Sequence, residues 1–301
     1  MRKILFICFL VAFVFGLNLE NDKNATKFNA KDSATLNKIL KYSDNNKTLD
    51  ELLEFVRKNP EKINYELECS YDDRIFSHFI LSYKENFDPK YDFDIKRLEK
   101  ILAFKPDLNY KIDSMTPVDY LLYYLGFLDE EEVIKALKLL IENGVNLNNN
   151  FSLVHNYLNY PIDLNKFKTF VFLLDNGANT DGVLREVGGE ILLFASSDNG
   201  FRMSAKEKKS DELRKFLQSD KFTKFSQEKA KFVKEILKRK KLSQINHDEL
   251  ELFIKVNAYI DNEMMIKILL ENGLCDIDKM CEFTVSEAQK HQSNDVLRLF
   301  R

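Results

Sequence analysis

TPVDYLLYYLGFLDEEEVIKALKLLIENGVNLN, residues 116–148, reads as two short helices back to back, then a glycine stop and an extended tail. Thr116-Pro117 opens the first helix, with proline at the first helical position, where its missing N–H costs nothing. Asp129 caps the second, and Glu132 three residues on completes a capping box. Val133, Leu137, Leu140 and Ile141 share one face at helical spacing. Asn143-Gly144 ends the helix, because glycine takes the left-handed conformation after a helix at no steric cost. A unit this small cannot hide its apolar face alone. It therefore predicts neighbours of its own kind.

Those neighbours are present. The ending Leu139-Leu140-Ile141-Glu142-Asn143-Gly144 returns as Leu173-Leu174-Asp175-Asn176-Gly177 and as Leu269-Leu270-Glu271-Asn272-Gly273. Gly144 and Gly177 are 33 residues apart, and Gly273 follows 96 later, close to three such steps. A weaker echo at 101–109, ILAFKPDLN, puts Lys105 where the glycine would stand. The helix openings Thr116-Pro117-Val118-Asp119 and Ser152-Leu153-Val154-His155 also correspond, and Thr284-Val285-Ser286-Glu287 is read as beginning another helix. A period near 33, built from helix, turn, helix and glycine, marks a stacked repeat array.

On these residues the chain resembles the ankyrin-repeat family. Thr116-Pro117, Leu139-Leu140, Gly144 and Asn146 follow that family's pattern, as do Leu173-Leu174, Gly177-Ala178 and Asn179, and again Leu269-Leu270 and Gly273. His155 fits the family's histidine, while Asp119 and Glu287 stand in for it elsewhere. The resemblance implies an all-α, ankyrin-like solenoid of stacked helix-turn-helix repeats, degenerate, with an irregular basic insertion. It also implies a habit of binding proteins, and brings no catalytic residues with it. The expected organisation is one repeat domain over 36–301, clearest at 95–181 and 246–301 and irregular at 182–245.

Ahead of that domain, Arg2-Lys3 precede the apolar run Ile4 to Phe15. Twelve apolar residues are too few to cross a bilayer of about 30 Å, but they suit a secretory signal over residues 1–16. The expectation is export, to the periplasm, with anchoring in the inner membrane through residues 4–15 as the alternative. Residues 17–35 are polar and predict a disordered lead-in.

Composition narrows function mainly by exclusion. A formal net charge of -3 gives no global attraction to nucleic acid or an anionic membrane. His78, His155, His247 and His291 have no two-histidine metal spacing, and no CxxC exists. Asp276, Asp278 and Glu287 copy three positions of a calcium loop, but Met280 stands where an oxygen ligand is needed and Cys281 where the loop's glycine belongs. No P-loop, GxSxG or GxGxxG appears. No cofactor, metal or small-molecule substrate is indicated. Outside the signal the cysteines are Cys69, Cys275 and Cys281. Cys275 and Cys281 are spaced to bridge in an oxidising compartment, with three reduced thiols as the rival reading.

The preferred function is a non-enzymatic protein-binding module that uses first helices and hairpin tips. Tyr110, Asp113, Tyr120, Tyr124, Asn149 and Phe151 are its candidate contact residues, since tyrosine is favoured at interfaces. Residues 206–241 carry fourteen Lys or Arg against six Asp or Glu. That segment supports a second reading, an envelope-associated protein touching anionic lipid or acidic partners. A third class, an exported enzyme with a site built from 183–225, has no motif behind it.

Overall fold

The computed structural model describes residues 27–41, 45–66, 74–80, 94–110, 116–123, 126–148, 156–197 and 211–301. Among these the regular structure is helical, with only isolated bridges at Lys27, Glu66 and Arg74. The expected all-α class is therefore met. The signal segment 1–16, Cys69, Asp113, Tyr124, Asn149, Phe151 and His155 lie outside the described residues. The domain expected over 36–301 is carried by two compact units. The first runs to Leu121 and adds Glu142–Val145; the second comprises Leu122–Ile141 and Asn146–Arg301.

In the first unit, α1 (Ala30–Lys41) packs on α2 (Asn45–Lys58). The disordered lead-in expected to residue 35 gives way at Lys27. Asn29 is the reason: its side-chain oxygen accepts from the Lys31 and Asp32 amides at 3.0 and 2.9 Å, capping α1. Phe28 is buried against Phe55 and Tyr65, which anchors that cap. Pro60–Lys62 and Ile75–Phe79 form 3₁₀ turns. Next comes α3 (Ile95–Leu102), capped by Asp94. Lys105 then takes φ of 54° at the glycine-equivalent position. A lysine in this region is strained by roughly 1 kcal/mol. Lys105→Gly is expected to raise stability by at most about 0.5 kcal/mol in a urea titration, because glycine's greater freedom when unfolded offsets much of the relieved strain.

Thr116 and Asp119 form a reciprocal cap on α4 (Pro117–Tyr123). The Thr116 amide and hydroxyl both donate to Asp119 Oδ2 at 2.8 Å, and the Asp119 amide donates back to Thr116 Oγ1 at 3.3 Å. The shorter Asp119 thus fills the role usually held by glutamate.

The second unit contains most of α5 (Glu130–Glu142), with Asp129 Oδ1 accepting from the Glu131 amide at 2.8 Å. It continues through α6 (Asn159–Asp163), α7 (Phe167–Asp175), α8 (Val183–Ser197), α9 (Asp211–Leu217) and α10 (Asp220–Leu237). It closes with α11 (His247–Tyr259), α12 (Glu263–Glu271), α13 (Met280–Lys290) and α14 (Asn294–Arg298). Helices pack in pairs: α6 on α7, α8 on α10, α11 on α12 and α13 on α14. The first members also touch in succession, α6 to α8 to α11 to α13, and so do the second members, α7 to α10 to α12 to α14. Phe167 and Phe170 meet Phe232 edge-on, with centroids at 5.5 and 4.9 Å, and join α7 to α10.

One turn recurs inside three of these pairs. Asn165, Asp261 and Gln292 adopt φ between 53° and 59°. In each case the next amide reaches back five residues: Lys166 to the Pro161 carbonyl, Asn262 to Asn257 and Ser293 to Ala288, at 2.7 to 2.9 Å. This is a Schellman closure made without glycine. After the second helices, Gly177 and Gly273 take φ of 85° and 86°, as the sequence predicts. Asn176 and Asn272 just before them donate to the Phe172 and Ile268 carbonyls.

Two sequence expectations are corrected in this unit. Segment 182–245 reads as irregular, broken at Gly188-Gly189, yet α8 runs straight through that pair. A Cβ at Gly188 would sit 3.4 Å from the Phe253 ring, so glycine here permits close approach of α8 to α11. Thr284 does not cap a helix either. Helix α13 starts at Met280, and Thr284 lies buried inside it, its hydroxyl donating to the Met280 carbonyl at 2.7 Å.

Candidate functional site

Glu186 and Glu190 are four apart on α8 and therefore share a face, which meets the end of α6 at Asp163. One carboxylate oxygen from each of the three lies within 4.8 Å of the others. Among the described residues this is the trio whose ligand atoms converge closely enough for a cation. An internal cation already serves it: Lys229 of α10, 1% exposed, donates to the Ile162 carbonyl and stands 3.3 Å from Glu190 Oε2. The ammonium also lies 5.2 Å from the centre of the Phe225 ring.

One ammonium does not neutralise three carboxyls. Although the residue as a whole is exposed, the Asp163 carboxyl is pushed up to about 8. Partial desolvation is the main cause, followed by the charges of Glu186 and Glu190 and a hydrogen bond to Glu186, against a smaller opposing pull from Lys229. Folded Asp163 thus keeps a proton that the unfolded chain releases above 3.8, so native stability falls as pH rises from there towards about 8. Asp163→Asn removes that penalty. The variant is expected to melt a few degrees above the parent near pH 8, with the gain shrinking towards pH 4. Thermal melts at the two pH values check this; a pH-independent difference would rule it out.

The sequence-predicted contact residues that the structure describes are core residues. Tyr110 is 4% exposed, with its hydroxyl 2.7 Å from Ser77 Oγ and the Arg74 guanidinium 4.3 Å above its ring. Tyr120, 6% exposed, lies on the inward side of α4. Neither ring leaves much surface for a partner, so both assignments are corrected. Among the described residues the exposed large apolar side chains are Tyr123, Phe127, Leu164, Leu193 and Leu252. Phe127 carried a sequence signal, since it falls in the short turn just before the Asp129 cap and off the apolar stripe. Leu193 and Leu252 carried none, because helical spacing alone does not say how many faces of a helix are covered.

The C-terminal end of the basic segment is engaged within its own unit. Lys238 pairs with Glu235 at 2.8 Å, Arg239 with Glu235 and Asp175, and Lys240 with Asp181 at 3.2 Å. Cys275 and Cys281 are joined by a disulfide across the turn into α13, with Cα atoms 5.0 Å apart. No described helix is long and apolar enough to cross a membrane. Comparisons with protein-family models, curated proteins and solved structures give no match to this chain.

Proposed function

We propose that the chain is a non-enzymatic protein-binding module whose second unit is an ankyrin-like array of helix pairs. The observation that carries this reading is the pairing itself: first helices contact first helices, second helices contact second helices, and one closing turn recurs at Asn165, Asp261 and Gln292. Arrays of this kind present an extended surface made of repeated first helices. Leu193 on α8 and Leu252 on α11 are 53% and 40% exposed on two neighbouring first helices, which suits a contact face. The double variant L193S/L252S is expected to keep its melting temperature and to lose partners that the parent retains from an envelope fraction. Equal capture by both proteins would count against this face.

We further infer export by residues 1–16. The disulfide supports an oxidising compartment, and a mature N-terminus just after Gly16 in a periplasmic extract would test it. The alternative of lipid contact through 206–241 loses Lys229, Lys238, Arg239 and Lys240, which have partners within the fold, and would rest on the exposed Lys215, Lys224, Lys231 and Lys234.

A further inference from the structure

The turns that follow the first helices carry a second surface, distinct from the face formed by Leu193 and Leu252. Tyr123 and Phe127 are 45% and 54% exposed, and their rings meet with centroids 5.9 Å apart. Between them in sequence and Leu164 in space lies Gly126, whose added Cβ would be 3.6 Å from a Leu164 methyl. Leu164, itself 40% exposed, therefore continues the patch from the turn before α5 to the turn before α7. Exposed large apolar side chains grouped at two neighbouring turns mark an interaction site more often than singly scattered ones do.

Its border is acidic. Asp129 and Glu132 are exposed immediately after Phe127. Glu228 reaches the turn of Leu164 through Asn165, at 3.0 Å. Of the nearby cations, Lys168 pairs with Glu131 at 2.6 Å, Lys229 is buried beneath Glu190, and Lys166 remains half-buried beside Leu164.

We propose that this patch docks a basic segment of another protein that carries large apolar side chains. Its apolar groups would cover Phe127 and Leu164, and its ammonium or guanidinium groups would meet the carboxylates around them. Charge complementarity selects this class, because an acidic or neutral apolar segment would leave the bordering carboxylates desolvated and unpaired. The proposal rests on reading the chain as a binding module and names the chemistry of one partner.

The test is fluorescence anisotropy of the full chain with three labelled peptides: one alternating lysine with leucine and phenylalanine, its glutamate counterpart, and a lysine-serine control. The basic apolar peptide is expected to bind best and to weaken as salt rises. F127S/L164S is expected to weaken it at least about tenfold and, separately, E132K several-fold. Both variants change exposed positions, so unchanged melting temperatures serve as the folding control. Equal binding by the parent and both variants, or equal binding of the acidic peptide, overturns the proposal. So does failure of the basic peptide to bind the parent. Loss confined to L193S/L252S overturns it while leaving the binding-module reading intact. Self-association of the parent that F127S/L164S abolishes in sedimentation makes a second copy the occupant, and likewise overturns it.

Discussion

Lys229→Met is expected to destabilise the second unit by about 3 kcal/mol near neutral pH. Lys229 is 1% exposed, and its ammonium serves the Ile162 carbonyl, Glu190 and the rings of Phe225 and Phe232 together. Methionine retains the stem's packing but removes the charge and its donors. The Ile162 carbonyl loses its buried partner, and three carboxyls are left facing one another. Breaking one side of a buried pair costs about 3 to 5 kcal/mol; the lower figure applies here because the carboxylates are partly solvated. Lys229→Met/Glu190→Gln should recover about 1 kcal/mol, because the two sites are coupled. Urea titrations followed by circular dichroism measure both variants. A loss below about 1 kcal/mol for the single change would mean that water replaces the ammonium at little cost.

Glu249→Ala is the second large effect, expected at about 3 kcal/mol. Glu249 is 5% exposed on α11, and its two oxygens accept from the Gly182 and Leu184 amides of α8 at 3.0 and 2.7 Å. The helix start therefore receives both hydrogen bonds and a negative charge where its dipole favours one. Alanine leaves two amides without that acceptor, the Leu184 amide in a buried position and the Gly182 amide in a half-buried one. Glu249→Gln keeps one good acceptor and should cost about half as much. Hydrogen exchange at Gly182 and Leu184 should accelerate in the alanine variant more than elsewhere in α8; unchanged exchange at those two amides would refute the assignment.

The same kind of link appears twice more. Glu130 accepts from the Thr169 amide at 2.7 Å near the start of α7, and Asp261 accepts from the Val296 amide at 3.0 Å in α14. None of these is local in sequence, and that marks the limit of what the chain discloses on inspection. Helix ends are legible because their causes are local. Asp129, Gly177 and Gly273 act within a few residues, and even the strained position of Lys105 follows from its place in the echo. The course of α8 through Gly188-Gly189 is not legible, because what holds it is packing against α6, α10 and α11, which are distant in sequence. Lys229 looks like one of fourteen basic residues until Ile162 and Glu190 are brought beside it. Tyr110 and Tyr120 failed as contact residues for a related reason: a tyrosine is as much at home under a helix, with its hydroxyl satisfied, as on a surface.

The direction of the Glu249 link bears on how the protein is made. Glu130 and Asp261 precede the helices they cap, but Glu249 lies 65 residues beyond the Leu184 amide it serves. A chain that emerges amino-terminus first into the compartment where it folds cannot finish the beginning of α8 until that glutamate has emerged, so this part of the molecule waits while its upstream neighbours close.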